Sequence, residues 1–324
     1  MKLQILVPQY KETEEIIKPL LDSIELQQNI DFDEIGVIIV NDGTDVHLSE
    51  DFLNKYKFKI EYFLNEHKGV SATRNACLDK STAEYVMFCD ADDMFFNMCG
   101  LYIIMQEIEN GGFDSLTSVF IEETRVPETK KPVYINHQMD CTFVHGKVHR
   151  RKYLIERNIR WNDNLTIHED SFFNCLCQKL SKNVKYCPNA FYLWKWRDGS
   201  VCRNDFKYIL KTYNNMLDSN TALVNEFLTR GKYEDAQFYC TSMIFDAYFT
   251  MNKKEWIDQE NKEYRDATEK RFKDYFLKFK ELFDGTSTQV KSQIIAGIKN
   301  RMFNEGLFME SITFDDWIKH IQEL

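Results

Sequence analysis

The chain has 324 residues, 44% hydrophobic and 28% charged. That balance suits one large or two ordinary globular domains and excludes a disordered chain. Lys and Arg number 41 against 51 Asp and Glu, a formal net charge of -10 that argues against a broad nucleic-acid-binding face. No stretch approaches the ~20 apolar residues that span a bilayer. Nine Cys occur without a CxxC spacing, which speaks against a disulfide framework or a zinc ribbon and predicts a reduced, cytoplasmic chain.

Leu3 to Val7 is a short apolar run stopped by Pro8, a first strand. From Thr13 onward, Ile16, Ile17, Leu20, Leu21 and Ile24 recur at helical spacing, with acidic residues in the first turn. Ile35 to Val40 is a second apolar run, ended by the turn residues Asn41-Asp42-Gly43. Lys59 to Leu64 has strand-like content, Ser71 to Leu78 fits a helix, and Tyr85 to Cys89 is an apolar strand that ends on Asp90. Strands alternating with helices predict βαβ units and a mostly parallel sheet. Asp114 to Ile121 follows as a further strand, and Glu122 to Pro132, with two prolines, as a surface loop or hairpin. Ser171 to Leu180 predicts a helix with Glu169-Asp170 at its N-terminal end. Beyond residue 205, Tyr213, Met216, Leu217, Leu223 and Val224 recur at helical spacing, and Trp256 to Phe283 is a long charged amphipathic segment. The boundary therefore falls at 205, with an α/β domain over 1–205 and an all-helical region over 206–324.

In open α/β sheets, ligands bind outside the carboxyl ends of the strands. The residues there are Gln9-Tyr10, Asn41-Asp42-Gly43 and Asp90-Ala91-Asp92-Asp93. Two or three carboxylates at a strand end suit Mg²⁺ or Mn²⁺, which takes phosphate oxygens as its remaining ligands. The same string also serves as an acidic turn or a helix N-cap. Asn41-Asp42-Gly43 is ordinary turn chemistry, and its position also makes Asp42 an acceptor for a base or a ribose. Arg74, in Gly69-Val70-Ser71-Ala72-Thr73-Arg74-Asn75, lies on a helix under the crevice or on the surface.

Together these motifs resemble the family-2 glycosyltransferases with the GT-A fold, a Rossmann-like sheet flanked by helices. The resemblance continues through Val144-His145-Gly146-Lys147-Val148-His149-Arg150-Arg151. Leu165-Thr166-Ile167-His168-Glu169-Asp170-Ser171 is similar to the family's Glu-Asp motif. Trp194-Lys195-Trp196-Arg197-Asp198-Gly199-Ser200 resembles its basic loop. The match covers residues 1–203 with six motifs in the right order. It implies that 1–205 is the catalytic domain and that a sugar moves from a nucleoside-diphosphate donor with inversion. Pro8 and Tyr10 would line the nucleobase site, Asp42 would bind the base, and Arg74 would support the nucleotide pocket. Asp90 would approach the ribose or the metal's outer shell, while Asp92, with Asp93 close by, would hold Mn²⁺ or Mg²⁺. Asp170 would be the general base, oriented by Glu169, and Arg197 with Ser200 would hold the diphosphate.

The resemblance further implies a UDP-sugar donor and a glycan or polyol-phosphate acceptor of a cell envelope. No stable nucleic-acid partner is expected. The place of action is cytoplasmic or peripheral at the inner membrane face. The C-terminal helices offer a solvated face, a homo-oligomer contact or a membrane-surface helix. Alternatives are transfer to a protein or a modified nucleic-acid base, and a sugar-nucleotide or glycan-binding module without turnover. Three positions depart from the family pattern: Lys11 follows Tyr10, His67 stands where Asn is usual, and no histidine occurs between His168 and His320.

Overall fold

Runs of buried aliphatic side chains make the central strands. β1 (Leu3–Gln9) and β2 (Ile35–Asn41) are almost wholly buried, as parallel strands covered on both faces require. They pair in parallel from Leu3 opposite Ile35 to Gln9 opposite Asn41. Between them runs α1 (Glu14–Glu25), whose Ile17, Leu20, Leu21 and Ile24 are buried along one face. After α2 (Glu50–Leu53), β3 (Lys59–Leu64) joins β2 in parallel. After α3 (Val70–Lys80), β4 (Tyr85–Phe88) joins the other side of β1 in parallel. The carboxyl ends of β1, β2 and β4 thus open on one edge of the sheet.

The computed structural model describes residues 1–126, 128–138, 140–197, 206–257, 261–304 and 312–324, with 206–211 described by backbone alone. Ser200 and the boundary at 205 lie outside the described residues. The chain divides into two compact units, Met1–Ser200 and Val201–Leu324.

In the first unit the chain continues through β5 (Met94–Phe95), α4 (Gly100–Glu109), β6 (Ser115–Arg125), β7 (Pro132–His137) and β8 (Lys147–Arg150). It ends with α5 (Arg151–Glu156), α6 (Glu169–Lys179) and β9 (Val184–Trp194). The sheet runs β3-β2-β1-β4-β8-β6-β9-β5, with β7 paired to β6. β8 is antiparallel to β4 and β6, and β5 to β9. β9 is parallel to β6, with its register shifted on both sides of Val119. The sheet is therefore mixed, with a parallel half under the crevice. The predicted segment 122–132 is the distal part of the β6–β7 hairpin.

The second unit is all helical among its described residues: α7 (Phe206–Thr229), α8 (Tyr233–Met251), α9 (Lys254–Ile257), α10 (Lys262–Gly285), α11 (Thr288–Asn304) and α12 (Phe314–Glu323). Its core is aromatic: Phe227, Trp256, Phe272 and Phe276 are nearly inaccessible. The segment predicted as continuous from Trp256 to Phe283 starts in α9 and resumes in α10, whose first turn is capped by the Asn261 side chain. No helix among the described residues is long and apolar enough to cross a membrane.

Candidate active site

At the ends of β1 and β2 a polar cluster fixes two loops. The buried Gln9 amide donates to the carbonyls of Glu12 (2.8 Å) and Val46 (3.0 Å). Its oxygen accepts from Asn41 (3.1 Å) and from the Tyr62 hydroxyl (3.0 Å). The Asp42 carboxylate is buried and accepts from the N–H groups of Lys68 (2.9 Å) and Gly69 (3.0 Å). It also faces His67 Nδ1 at 2.9 Å. His67 stacks on Tyr10 with ring centroids 4.8 Å apart. Gly43 has φ +70, and a Cβ there would run into the backbone of Glu66 and His67. The turn and the loop through His67 are thus packed together, and the half-buried Pro8 precedes them on β1.

The end of β4 carries the carboxylates. Asp90 accepts from Arg74 Nη2 at 2.8 Å, and Arg74 Nη1 donates to Glu169 at 2.9 Å. Burial alone would raise the Asp90 carboxyl, but Arg74 outweighs it and holds it below the usual carboxylate range. Asp92 pairs with Arg197 Nε at 3.0 Å, and Arg197 Nη1 reaches Glu12 at 3.2 Å. Glu12 in turn accepts from the Tyr10 N–H (2.8 Å), so it joins the Tyr10 cluster to the Asp92 loop. Burial and the neighbouring Asp90 raise the Asp92 carboxyl.

Asp93 is nearly inaccessible. It accepts from the Tyr192 hydroxyl (2.6 Å) and the Lys195 N–H (3.0 Å), which ties β9 to the Asp loop. Burial, with Asp90 and Asp92 beside it, pushes its carboxyl well up. His145 approaches Asp93 with Nδ1 3.6 Å from Oδ2 and is buried among Phe120, Phe143, Tyr192 and Trp194.

The second acidic pair opens α6. His168 precedes it with a left-handed φ of 64, a conformation that costs energy in a non-glycine residue. Burial pushes the Asp170 carboxyl up to about 7, with Glu169 adding to the rise and Arg74 opposing it. Part of Asp170 still reaches solvent, as a group that exchanges protons must. Beside α6, the buried Lys147 ammonium donates to the Phe143 carbonyl, and Asn174 donates to the carbonyls of Thr142 (2.8 Å) and Phe143 (3.0 Å).

The structure therefore brings Arg74, Asp90 and Glu169 into one ion-pair chain, with Asp170 next to it. Asp92, Arg197, Glu12 and Tyr10 form a second chain. Asp42 holds the turn through His67. Glu12, His67 and His145 carried no assigned role in the sequence reading. Most of their partners lie far along the chain, and the sequence showed His67 only as a departure from the family pattern and His145 only as a member of one of its motifs.

Asp90, Asp93 and His145 present one ligand atom each within 4.8 Å of one another. Two carboxylates and a neutral imidazole suit Mn²⁺ better than Mg²⁺. Burial lowers the His145 imidazole to about 3, so it is neutral at ordinary pH. Its Nδ1 is buried without a hydrogen bond among the described residues. The donor set and this orphaned nitrogen fit a divalent cation, with Asp92 alongside.

A curled mixed sheet with carboxylates at the ends of its parallel strands defines a GT-A glycosyltransferase. The family described as Glycosyl transferase family 2 matches residues 4–180, and the chain belongs to it. It is 32% identical over 125 residues to an uncharacterized glycosyltransferase of Rickettsia bellii, covering 38% of this chain and 17% of that protein. It is 25% identical over 259 residues to the GalNAc(5)-diNAcBac-PP-undecaprenol beta-1,3-glucosyltransferase of Campylobacter jejuni, covering 74% of this chain and 80% of that protein. S. aureus TarS 1-349 in complex with UDP superposes with a TM-score of 0.65 at 15% identity, over 97% of this chain and 93% of that one. That likeness shows the fold. The chain spans 17, 64 and 32% of the length of three curated relatives from Rickettsia bellii, Bacillus subtilis and Streptococcus pneumoniae.

Proposed function

We propose that the chain transfers a sugar from a UDP-sugar, with inversion, to a hydroxyl of a cell-envelope glycan or polyol-phosphate polymer. Residues 1–205 are its catalytic domain, and 206–324 a helical appendage. The observation that carries the reading is the meeting of the two acidic motifs: Arg74 binds Asp90, at the end of β4, and Glu169, next to Asp170. UDP in the TarS structure supports the choice of base. The undecaprenol-linked glycan in the name of the Campylobacter relative supports an envelope acceptor.

An acceptor hydroxyl is a poor nucleophile, so a carboxylate takes its proton as the new bond forms. Asp170, raised to about 7, is that base, and Glu169 holds the helix start in place. Tyr10 offers a stacking face and Pro8 a wall for the uracil, while Asp42 shapes the turn beneath. Asp90, Asp92, Asp93 and His145 would hold a divalent cation. When bound, it supplies positive charge for the departing diphosphate. Arg197 is paired with carboxylates that an anionic diphosphate would replace, and Ser200 is the further diphosphate contact that the family resemblance implies. Direct attack needs one base and no covalent enzyme intermediate.

The test is release of UDP from a panel of nucleotide sugars with Mn²⁺. Release is expected from a UDP-sugar. Asp92→Asn and Asp170→Asn, shown to be folded, are each expected to lose at least about 100-fold. Full release by either variant sinks the assignment, and binding without release from any donor favours a non-catalytic module.

A further inference from the structure

Helix α3 fastens the whole approach to Asp170. Ser71 Oγ donates to the Leu165 carbonyl at 3.1 Å. Asn75 takes both backbone groups of Trp161, donating to its carbonyl (2.9 Å) and accepting from its N–H (3.0 Å). Asp79 accepts both Nη groups of Arg160, at 2.6 and 2.7 Å. Positions 71, 75 and 79 are one helical turn apart and share a face. Arg74 stands among them.

Arg74 is only 4% exposed. One arm binds Asp90 on the β4 side and the other binds Glu169 on α6. Its Cζ lies 4.5 Å from the centre of the Trp161 ring, which stacks on Phe173 of α6 at 4.2 Å and meets Phe88 of β4 edge-on. Nε is buried with no hydrogen-bond partner among the described residues. Each terminal nitrogen is bonded to a protein carboxylate and the Nε–H is buried, so the residue presents almost no surface to a nucleotide.

We infer that Arg74 is a positioning residue that acts through Asp170 rather than a donor ligand. It sets the Glu169-Asp170 start of α6 against Asp90, and so fixes the proton acceptor relative to the diphosphate. This rests on Asp170 being the base. A rigid planar fork with fixed donors spans two carboxylates on different elements. A lysine keeps the charge but is a single point without that span. A displacement of about 1 Å at a reacting centre is enough to lose ~100-fold in rate.

The experiment compares the full chain with Arg74→Lys, Asp170→Asn and the double variant. UDP release is measured from the donor found in the panel above, and UDP affinity with Mn²⁺ by calorimetry. Arg74→Lys is expected to lower kcat at least about 30-fold while UDP affinity moves less than about threefold. In the Asp170→Asn background the same change is expected to lose less than about threefold more, because the residue it serves is gone. A variant merely weakened in fold loses activity by similar factors in both backgrounds. If Arg74→Lys does not fold, Glu169→Gln removes the same ion pair from the other end and is read in the same cycle. The inference is overturned by a tenfold or larger loss of UDP affinity with kcat kept. It is also overturned by additive losses, or by an unchanged kcat. A wild-type chain that releases no UDP from any donor removes the transferase reading as well. An active wild type with any of those results removes the Arg74 role alone.

Discussion

With Asp170 as the proposed base, its ionisation governs the expected pH dependence. Burial is the largest cause of its raised carboxyl, at about 7, and Glu169 the next. A general base works when deprotonated, so kcat/KM is expected to fall as pH drops below about 7, with unit slope on the acid limb. The stability consequence has the opposite sign. An ordinary Asp has a pKa of about 3.9 in an unfolded chain, so the folded state holds this proton more tightly. The fold is therefore favoured at low pH and loses stability as pH rises from about 4 to about 7. Asp170→Asn removes the ionisation, so it should melt above the wild type at pH 8 while losing transfer. The gap should narrow toward pH 4. A rate profile flat through pH 5 to 8, or a variant that melts lower at pH 8, contradicts the assignment of Asp170.

At the scale of elements, α3 carries Arg74 and α6 opens with the proposed base, and Asn75 is the clasp between α3 and the segment before α6. Its amide satisfies the carbonyl and the N–H of Trp161, and it also donates to Asp163 at 2.8 Å. Asn75→Ala leaves those two backbone groups without partners beside a buried indole. An unsatisfied buried polar group costs about 1–3 kcal/mol, so urea unfolding should show a loss in that range, with the slope unchanged. A loss under about 0.5 kcal/mol would mean that water replaces the amide, as at an ordinary surface position. Among the strands legible in the sequence, β1, β2 and β4 owe it to uniform burial, whereas β3 was legible from its Ile, Tyr and Phe content though its ends are exposed. β1, β2 and β4 are continuous apolar runs because both faces are covered, and α1 has a full apolar stripe. β9 hid because it mixes exposed and buried residues, contains Pro188, and shifts register against β6. β8 hid because buried Lys147 and His149 interrupt its apolar content. The acidic motifs were visible as a strand-end string and a helix start, whereas the pairing of Arg74 with residues 16 and 95 positions away was not. Local spacing carries no trace of contacts that only the folded sheet creates.

Across the whole molecule, the net charge of -10 gains a local meaning. Glu12, Asp90, Asp92 and Glu169 are paired with two arginines, Arg74 and Arg197, and Asp93 and Asp170 stand next to Asp92 and Glu169 in the chain. Burial and mutual repulsion raise three of those acids, Asp92, Asp93 and Asp170. A folded chain that gathers acids in this way gains stability from any cation that binds the fold and not the unfolded chain. Mn²⁺ should therefore raise the melting temperature, and UDP should add to that rise because the diphosphate brings further ligands to the ion. At a free ligand level 100 times its Kd, such linkage amounts to about 2.7 kcal/mol. Chelation with EDTA should reverse the Mn²⁺ increment. Asp92→Asn and His145→Ala separate the two donor sets: the open Asp90–Asp92 pair predicts that the first variant loses the increment. The buried Asp90–Asp93–His145 group predicts that the second one does. A melting temperature indifferent to Mn²⁺, with and without UDP, would mean that the acids are held by Arg74, Arg197 and their own protons alone.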